Sequence, residues 1–278
     1  MRMRPMEVGV FLSSTGIRDP FDATTKLGEL GIKSCQVGFQ LPEFYTSENA
    51  RKLKAHMAKH GVTPSVLFIG FVDESYASMQ AVLETVGYLQ PAKLPERMAV
   101  SRKAIDFAAE LGCEAAAAHI GFVPADTSDP LHVKLVETMR EIADYCKRKG
   151  IAFHLETGQE TAEELLEFLE SLERDNVFIN FDPANMILYG KDKPIEALET
   201  VKAYVRSCHC KDGVWPTVEG ELGSEMPLGE GQVDIPAFVA KLKEIGYKGP
   251  LTIEREAGED RIGDILRGKA LLERARNG

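Results

Sequence analysis

Apolar runs of strand length alternate with segments of helical period from one end of the chain to the other. The runs "EVGVFLSS", "SCQVGFQ", "PSVLFIGF", "EAAAAHIGF", "IAFHLE", "VFINFD", "VRSCHCKD" and "LTIERE" read as strands. Between them, "DATTKLGELG", "SENARKLKAHMAKHG", "PERMAVSRKAIDFAAELG", "PLHVKLVETMREIADYCKRKG", "TAEELLEFLESLE", "PIEALETVKAYV" and "IPAFVAKLKEIG" read as helices, and "DRIGDILRGKALLERAR" closes the chain. Several of these helices end in glycine just before the next strand, the usual helix stop. Eight βα units without a linker or composition break predict one α/β domain over residues 1–278, a (β/α)8 TIM barrel. Its functional groups are expected at the C-terminal ends of the strands. The competing architecture is an open doubly wound sheet, which needs a glycine-rich phosphate loop after a strand. None follows the first strand, and "LGEG" at Leu228 to Gly231 is too weak a dinucleotide signal.

Alternation with period two sorts the last four strands into a helix-facing and an interior-facing set. With Ile151, Phe153 and Leu155 outward, His154 and Glu156 face the interior. With Val177, Ile179 and Phe181 outward, Asn180 and Asp182 do. The seventh strand turns Cys208 and Cys210 to the helices and Ser207, His209 and Lys211 inward. The eighth turns Leu251 and Ile253 outward and Thr252 and Glu254 inward. Glu156, Asp182, His209 and Glu254 therefore stand near the ends of four consecutive strands. Three carboxylates that close repel one another strongly at neutral pH, and a divalent cation resolves the conflict. Oxygen-rich ligation with one imidazole suits Mn²⁺, Mg²⁺, Co²⁺ or Zn²⁺. A single inward acid at a strand end is more often part of an ion-pair network; four in register favour the metal site.

Other histidines and cysteines take plainer roles. His154, deeper in its strand, is expected to be a hydrogen-bonded core histidine, and Cys208 and Cys210 to be core cysteines. His56, His60 and His132 fall in helical segments and are expected to face solvent. His119, at the end of the fourth strand, is balanced between substrate contact and packing. Lys211 stands on the same face as His209 and can bind a substrate oxygen, or form a salt bridge to Asp182 or Glu254.

Charge and cysteine content narrow the function class. The formal net charge of −10 over 278 residues disfavours nucleic acid at long range. No run approaches the ~20 apolar residues of a membrane span, and the N-terminal "MRMRPMEVGVFLSS" is too short and too β-branched for a secretory signal. Five cysteines without paired spacing fit a reducing compartment. A soluble cytoplasmic protein is expected, and a homo-oligomer is compatible with this composition.

The marks "LETG", "FDPAN", "HCKD", "LGEGQVDIP" and "IERE", in order from Leu155 to Glu256, resemble the xylose isomerase-like TIM barrel superfamily in its sugar phosphate isomerase/epimerase branch. The first half resembles it only in its βα rhythm and in "HIG" at His119. The resemblance implies one divalent metal on Glu156, Asp182, His209 and Glu254. In ketose epimerases of that family the two matching glutamates also exchange the substrate proton, so Glu156 and Glu254 are the expected catalytic pair. Where many relatives read D-x-x-H, this chain has Asp182 followed by Asn185, which can bind a hydroxyl but cannot shuttle a proton. That change, with no Asp-x-His pair between Lys211 and "LGEG", counts against the apurinic-site endonuclease branch.

The expected activity is a metal-dependent isomerisation or epimerisation of a small polyhydroxylated carbonyl compound, such as a ketose, an inosose or a keto-glycoside, through an enediolate. A lyase or dehydratase is the related alternative, and a sugar- or metal-binding barrel without turnover the alternative of another class. The loop from Asp212 to Gly231 is too long for an ordinary connection and is expected to be a lid. Its Trp215 joins His119, Asn185, Lys211 and Glu256 as expected substrate-binding residues.

Overall fold

The computed structural model describes residues 5–39 and 41–278. Strands β1 (Val8–Phe11), β2 (Ser34–Phe39), β3 (Thr63–Ile69), β4 (Ala115–Ala118), β5 (Ala152–Glu156), β6 (Val177–Phe181) and β7 (Val205–Cys210) run parallel in chain order. β10 (Leu251–Ile253) pairs with both β7 and β1 and closes the barrel. Between β7 and β10, β8 (Asp212–Val214) and β9 (Ser224–Met226) form a separate antiparallel hairpin. Closure leaves no unpaired strand edge, which a parallel sheet with helices outside achieves through the βαβ crossover.

The outer layer consists of α1 (Pro20–Glu29), α2 (Ser47–His60), α3 (Met79–Thr85), α4 (Leu94–Leu111), α5 (Pro130–Lys149), α6 (Ala162–Ser171), α7 (Pro183–Leu188), α8 (Pro194–Val201), α9 (Ile235–Glu244) and α10 (Arg261–Asn277). The starts are sequence-coded. Asp19, Thr46, Asp129, Thr161 and Asp234 each accept a backbone N–H of the first turn, and Thr161 with Glu164 forms a full capping box. Gly61, Gly112 and Gly150 end α2, α4 and α5 in the left-handed conformation, as the glycine stops predicted. Between strands and helices lies the apolar core. Phe153, Leu155, Ile179 and Phe181 point outward into it, where Phe181 stacks on Phe238 of α9 at 5.9 Å between ring centres.

Some elements differ from the sequence reading. The first strand stops at Phe11 because Leu12–Thr15 turns into a 3-10 helix, and the helix read as "PIEALETVKAYV" ends at Val201. α3 and α7 were not predicted; at seven and six residues they are too short to show a period. The three solvent-facing histidines are corrected. His132 is buried, with Nδ1 2.7 Å from the carbonyl of Pro124 and its ring edge-on to Phe168. His56 and His60 are half-buried, His56 against Thr25 and the Phe21 carbonyl. Among the described residues no helix is long and apolar enough to cross a membrane.

Candidate metal centre and cavity

Glu156 is the last residue of β5, and Asp182 the first after β6. Thr157 ties these strand ends together: its hydroxyl donates to the Asp182 carbonyl (3.0 Å) and accepts the Asp182 N–H (2.7 Å). The two oxygens of Asp182 then divide their work. Oδ1 caps α7, accepting from Ala184 N (2.8 Å) and Asn185 N (3.1 Å). Oδ2 is buried without a hydrogen-bond partner among the described residues, 3.6 Å from His209 Nδ1 and 4.0 Å from Lys211 Nζ.

His209 is fully buried near the end of β7. Its Nδ1 lies 2.7 Å from Glu156 Oε1 and 3.2 Å from Glu254 Oε2, and its Nε2 2.6 Å from Gln36 Oε1. The rings of Phe68 and Phe11, with centres 4.9 and 5.4 Å away, confine the imidazole. Phe11 can sit there because β2 carries Gly38; a Cβ at that position would lie 2.5 Å from the Phe11 ring. Ligand atoms of Glu156, Asp182, His209 and Glu254 all fall within 4.8 Å of one another. An orphaned carboxylate oxygen inside a buried set of three carboxylates and one imidazole is what a divalent cation fits, since it would satisfy Asp182 Oδ2 and offset the excess negative charge.

The local electrostatics express the same crowding. Burial is the largest influence on Glu156 and raises its carboxyl above the ordinary 4.5, with His119 and His209 reversing only part. Burial also opposes ionisation of Glu254 and Asp182, but the neighbouring His209 and Lys211 outweigh it and hold both below the ordinary carboxylate range. Burial disfavours charge on His209 and Lys211 too. Glu254 and Glu156 nevertheless hold the imidazole well above 6.5, and Glu254, Glu256 and Asp182 hold the ammonium well above 10.5.

Above this cluster opens a cavity of about 570 Å³. His119, Asn185, Lys211 and Glu256 line it together with Glu156 and Glu254. His119 Nε2 is 3.3 Å from Glu156 Oε2, and Asn185 Nδ2 donates to Glu156 Oε1 at 3.4 Å. Asn185 approaches so closely because residue 158 is glycine at φ 135°, where a Cβ would lie 2.4 Å from that of Asn185. Lys211 Nζ donates to Glu254 Oε2 at 3.0 Å and also pairs with Glu256. His154 lies deeper, hydrogen-bonded to Ser207 Oγ at 2.8 Å; burial, aided by Arg206, pushes it down to about 3.

Trp215 is placed apart from these residues. It is half-buried against the apolar core, its backbone N–H donates to Gln232 Oε1 at 2.9 Å, and it is not among the residues lining the cavity. The long loop meets the cavity through Leu222, Gly223 and Glu225 instead. Its base is pinned by Asp212, whose carboxylate accepts from the backbone of Gly213, Gly229, Gly231 and Val233.

The facing wall comes from the first half of the chain: Phe11, Phe39, Phe68 and Ile69 at the ends of β1 to β3, with Glu74 and Tyr76 from the following segment. The sequence reading identified none of these, nor Gln36. Alternation in "SCQVGFQ" does place Gln36 inward with Ser34 and Gly38, and that was the available signal. Inward aromatics at strand ends, by contrast, read as core.

The family described as xylose isomerase-like TIM barrel matches residues 25–275. A solved structure, a xylose isomerase domain protein from Planctomyces limnophilus, is 40% identical with a TM-score of 0.91, covering 99% of this chain and 98% of that one. An uncharacterized protein of Methanocaldococcus jannaschii is 28% identical over 201 residues, 66% of each chain. An L-ribulose 3-epimerase of Methylomonas sp. is 30% identical over 182 residues, 61% of this chain and 59% of that protein. The matches thus span less than two thirds of the length of these last two relatives.

Proposed function

Because the chain belongs to the xylose isomerase-like TIM barrel family, we propose that it moves a proton next to the carbonyl of a small, neutral polyhydroxylated compound, as an isomerase or epimerase. The observation that carries this reading is the pair Glu156 and Glu254. They are buried carboxylates from β5 and from the end of β10, standing 2.7 and 3.2 Å from the same His209 nitrogen and facing one cavity. The similarity to an L-ribulose 3-epimerase supports it further.

Glu156, Asp182, His209 and Glu254 would hold one divalent cation. When bound, such an ion polarises a carbonyl and makes the neighbouring C–H more acidic. One glutamate takes that proton, and the other, across the plane of the enediolate, returns one to the opposite face. His119 and Asn185, both against Glu156, and Lys211, against Glu254, bind and orient substrate oxygens. Glu256 holds the Lys211 ammonium in place. The aromatic wall excludes water and takes the C–H face of the substrate.

Charge supports a neutral substrate. Glu74, Glu156, Glu225, Glu254 and Glu256 line the cavity, while its lysine is already paired with two carboxylates. A phosphoryl group would need unpaired cationic donors there.

The test is a panel of free and phosphorylated ketoses, inososes and keto-glycosides in deuterated water with added Mn²⁺. Deuterium should enter the carbon beside the carbonyl of a free compound and appear in an epimer or isomer. Metal-loaded Glu156→Gln and Glu254→Gln should lose the product, with at least one variant separating exchange from product formation. Loss of water from the substrate would establish the lyase alternative. Metal binding without exchange anywhere in the panel would refute catalysis and leave a binding barrel.

A further inference from the structure

Gln36 lies in the middle of β2 and is buried in the barrel interior. Its amide reaches across the barrel to two strands more than 140 positions away: Oε1 is 2.6 Å from His209 Nε2, and Nε2 donates to Asn180 Oδ1 at 3.1 Å. Both amide residues stand at irregularities of the barrel. The β2–β3 register slips between Cys35 and Val37, and the β6–β7 register between Ile179 and Asn180. Such slips re-aim side chains beside functional sites.

The two nitrogens of His209 face different worlds. Nδ1 faces Glu156, Glu254 and Asp182 at 2.7, 3.2 and 3.6 Å, whereas Nε2 faces Gln36 and, among the described residues, no other hydrogen-bond partner. A cation held by these four residues needs the Nδ1 lone pair, so the remaining ring proton must sit on Nε2 and find an acceptor there. With Gln36 Nε2 donating to Asn180 Oδ1, the Gln36 carbonyl oxygen is the atom that faces the imidazole, while Asn180 Nδ2 has no hydrogen-bond partner among the described residues.

We propose that Gln36 is a positioning residue of the cation site, anchored by Asn180, that fixes the His209 tautomer with Nδ1 free to ligate. The inference rests on the reading of Glu156, Asp182, His209 and Glu254 as that site. In Gln36→Met the shape is nearly kept and the acceptor is lost.

Mn²⁺ titration by calorimetry of metal-free wild type and Gln36→Met, with thermal midpoints in chelator, tests the proposal. The variant should bind Mn²⁺ about 10- to 100-fold more weakly. Imidazole nitrogen-15 spectra of the Zn²⁺-loaded wild type should show His209 protonated at Nε2, and this readout needs no variant to fold. Equal Mn²⁺ affinity in the two proteins, with only the metal-free midpoint lowered, would reduce Gln36 to a packing role and overturn the proposal. So would an unprotonated Nε2 in the Zn²⁺-loaded wild type. Failure of the wild type itself to bind Mn²⁺ would instead overturn the underlying site reading, and the inference with it.

Discussion

Replacing Glu160 by glutamine should stabilise the protein at pH 8 and do progressively less as the pH falls. Glu160 lies in the loop after β5, 3% exposed, with Oε1 accepting from the backbone N–H of Val123 at 3.0 Å. Burial pushes its carboxyl from the ordinary 4.5 up to about 7, and the Val123 bond and the attraction of Lys191 offset only part of that. The folded chain therefore binds this proton more tightly than the unfolded chain. Stability is fully retained below about pH 4.5, declines as the pH rises through the window to about 7, and stays reduced above it. A displacement from 4.5 to about 7 corresponds to at most about 3.5 kcal/mol. Glutamine keeps an acceptor for Val123 and never ionises, but it gives up the attraction to Lys191, so a gain of roughly 1–2 kcal/mol at pH 8 is expected. Urea midpoints of both proteins at pH 5, 6, 7 and 8, all in chelator so that metal occupancy is constant, measure it. A pH-independent difference, or a variant less stable than wild type at pH 8, would show that the ionised carboxylate is well satisfied where it lies.

Asp182→Asn retains an oxygen for the α7 cap but gives up the attraction of His209 and Lys211 that holds the carboxyl below its usual range, so metal-free stability at pH 7 should fall and metal content after dialysis should fall with it; wild-type Mn²⁺ affinity would remove Asp182 from the ligand set. Gly158→Ala combines a φ of 135° with a Cβ 2.4 Å from that of Asn185. It should cost about 2 kcal/mol or more in urea unfolding and raise KM, and unchanged values of both would refute the close-approach argument. If the hairpin of β8 and β9 closes over a ligand, Trp215 emission should shift on saturation with a polyol inhibitor; constant emission, with the hairpin unmoved in a liganded crystal, would discard the lid.

The barrel was legible because its signal is repeated: each strand run is followed by a helix of clear period, and no single misread boundary disturbs the count. The four acidic and imidazole residues were legible for a related reason, since alternation within four adjacent strands brings Glu156, Asp182, His209 and Glu254 to one level. α3, α7 and the hairpin fell below the length at which a period exists. His132 was misjudged because the third position of a helix can face either way, and the preceding loop at Pro124 covers it. The cavity wall was illegible on physical grounds. Phe11 and Phe68 carry the same apolar pattern whether they meet another side chain or a bound ligand, and only the closure of the barrel shows which.

That wall and the cluster opposite it are encoded in different stretches of the chain. Phe11, Phe39, Phe68 and Tyr76 precede α5, whereas Glu156, Asp182, His209 and Glu254 all follow it. A single recombination crossover between two relatives, placed within residues 130–149, would therefore exchange the aromatic wall, together with His119 and Gln36, and leave the four ion-holding residues with Asn185, Lys211 and Glu256 to one parent. The wall that packs against a ligand is thus exchangeable by one genetic event without changing the four ion-holding residues, a route to altered preference.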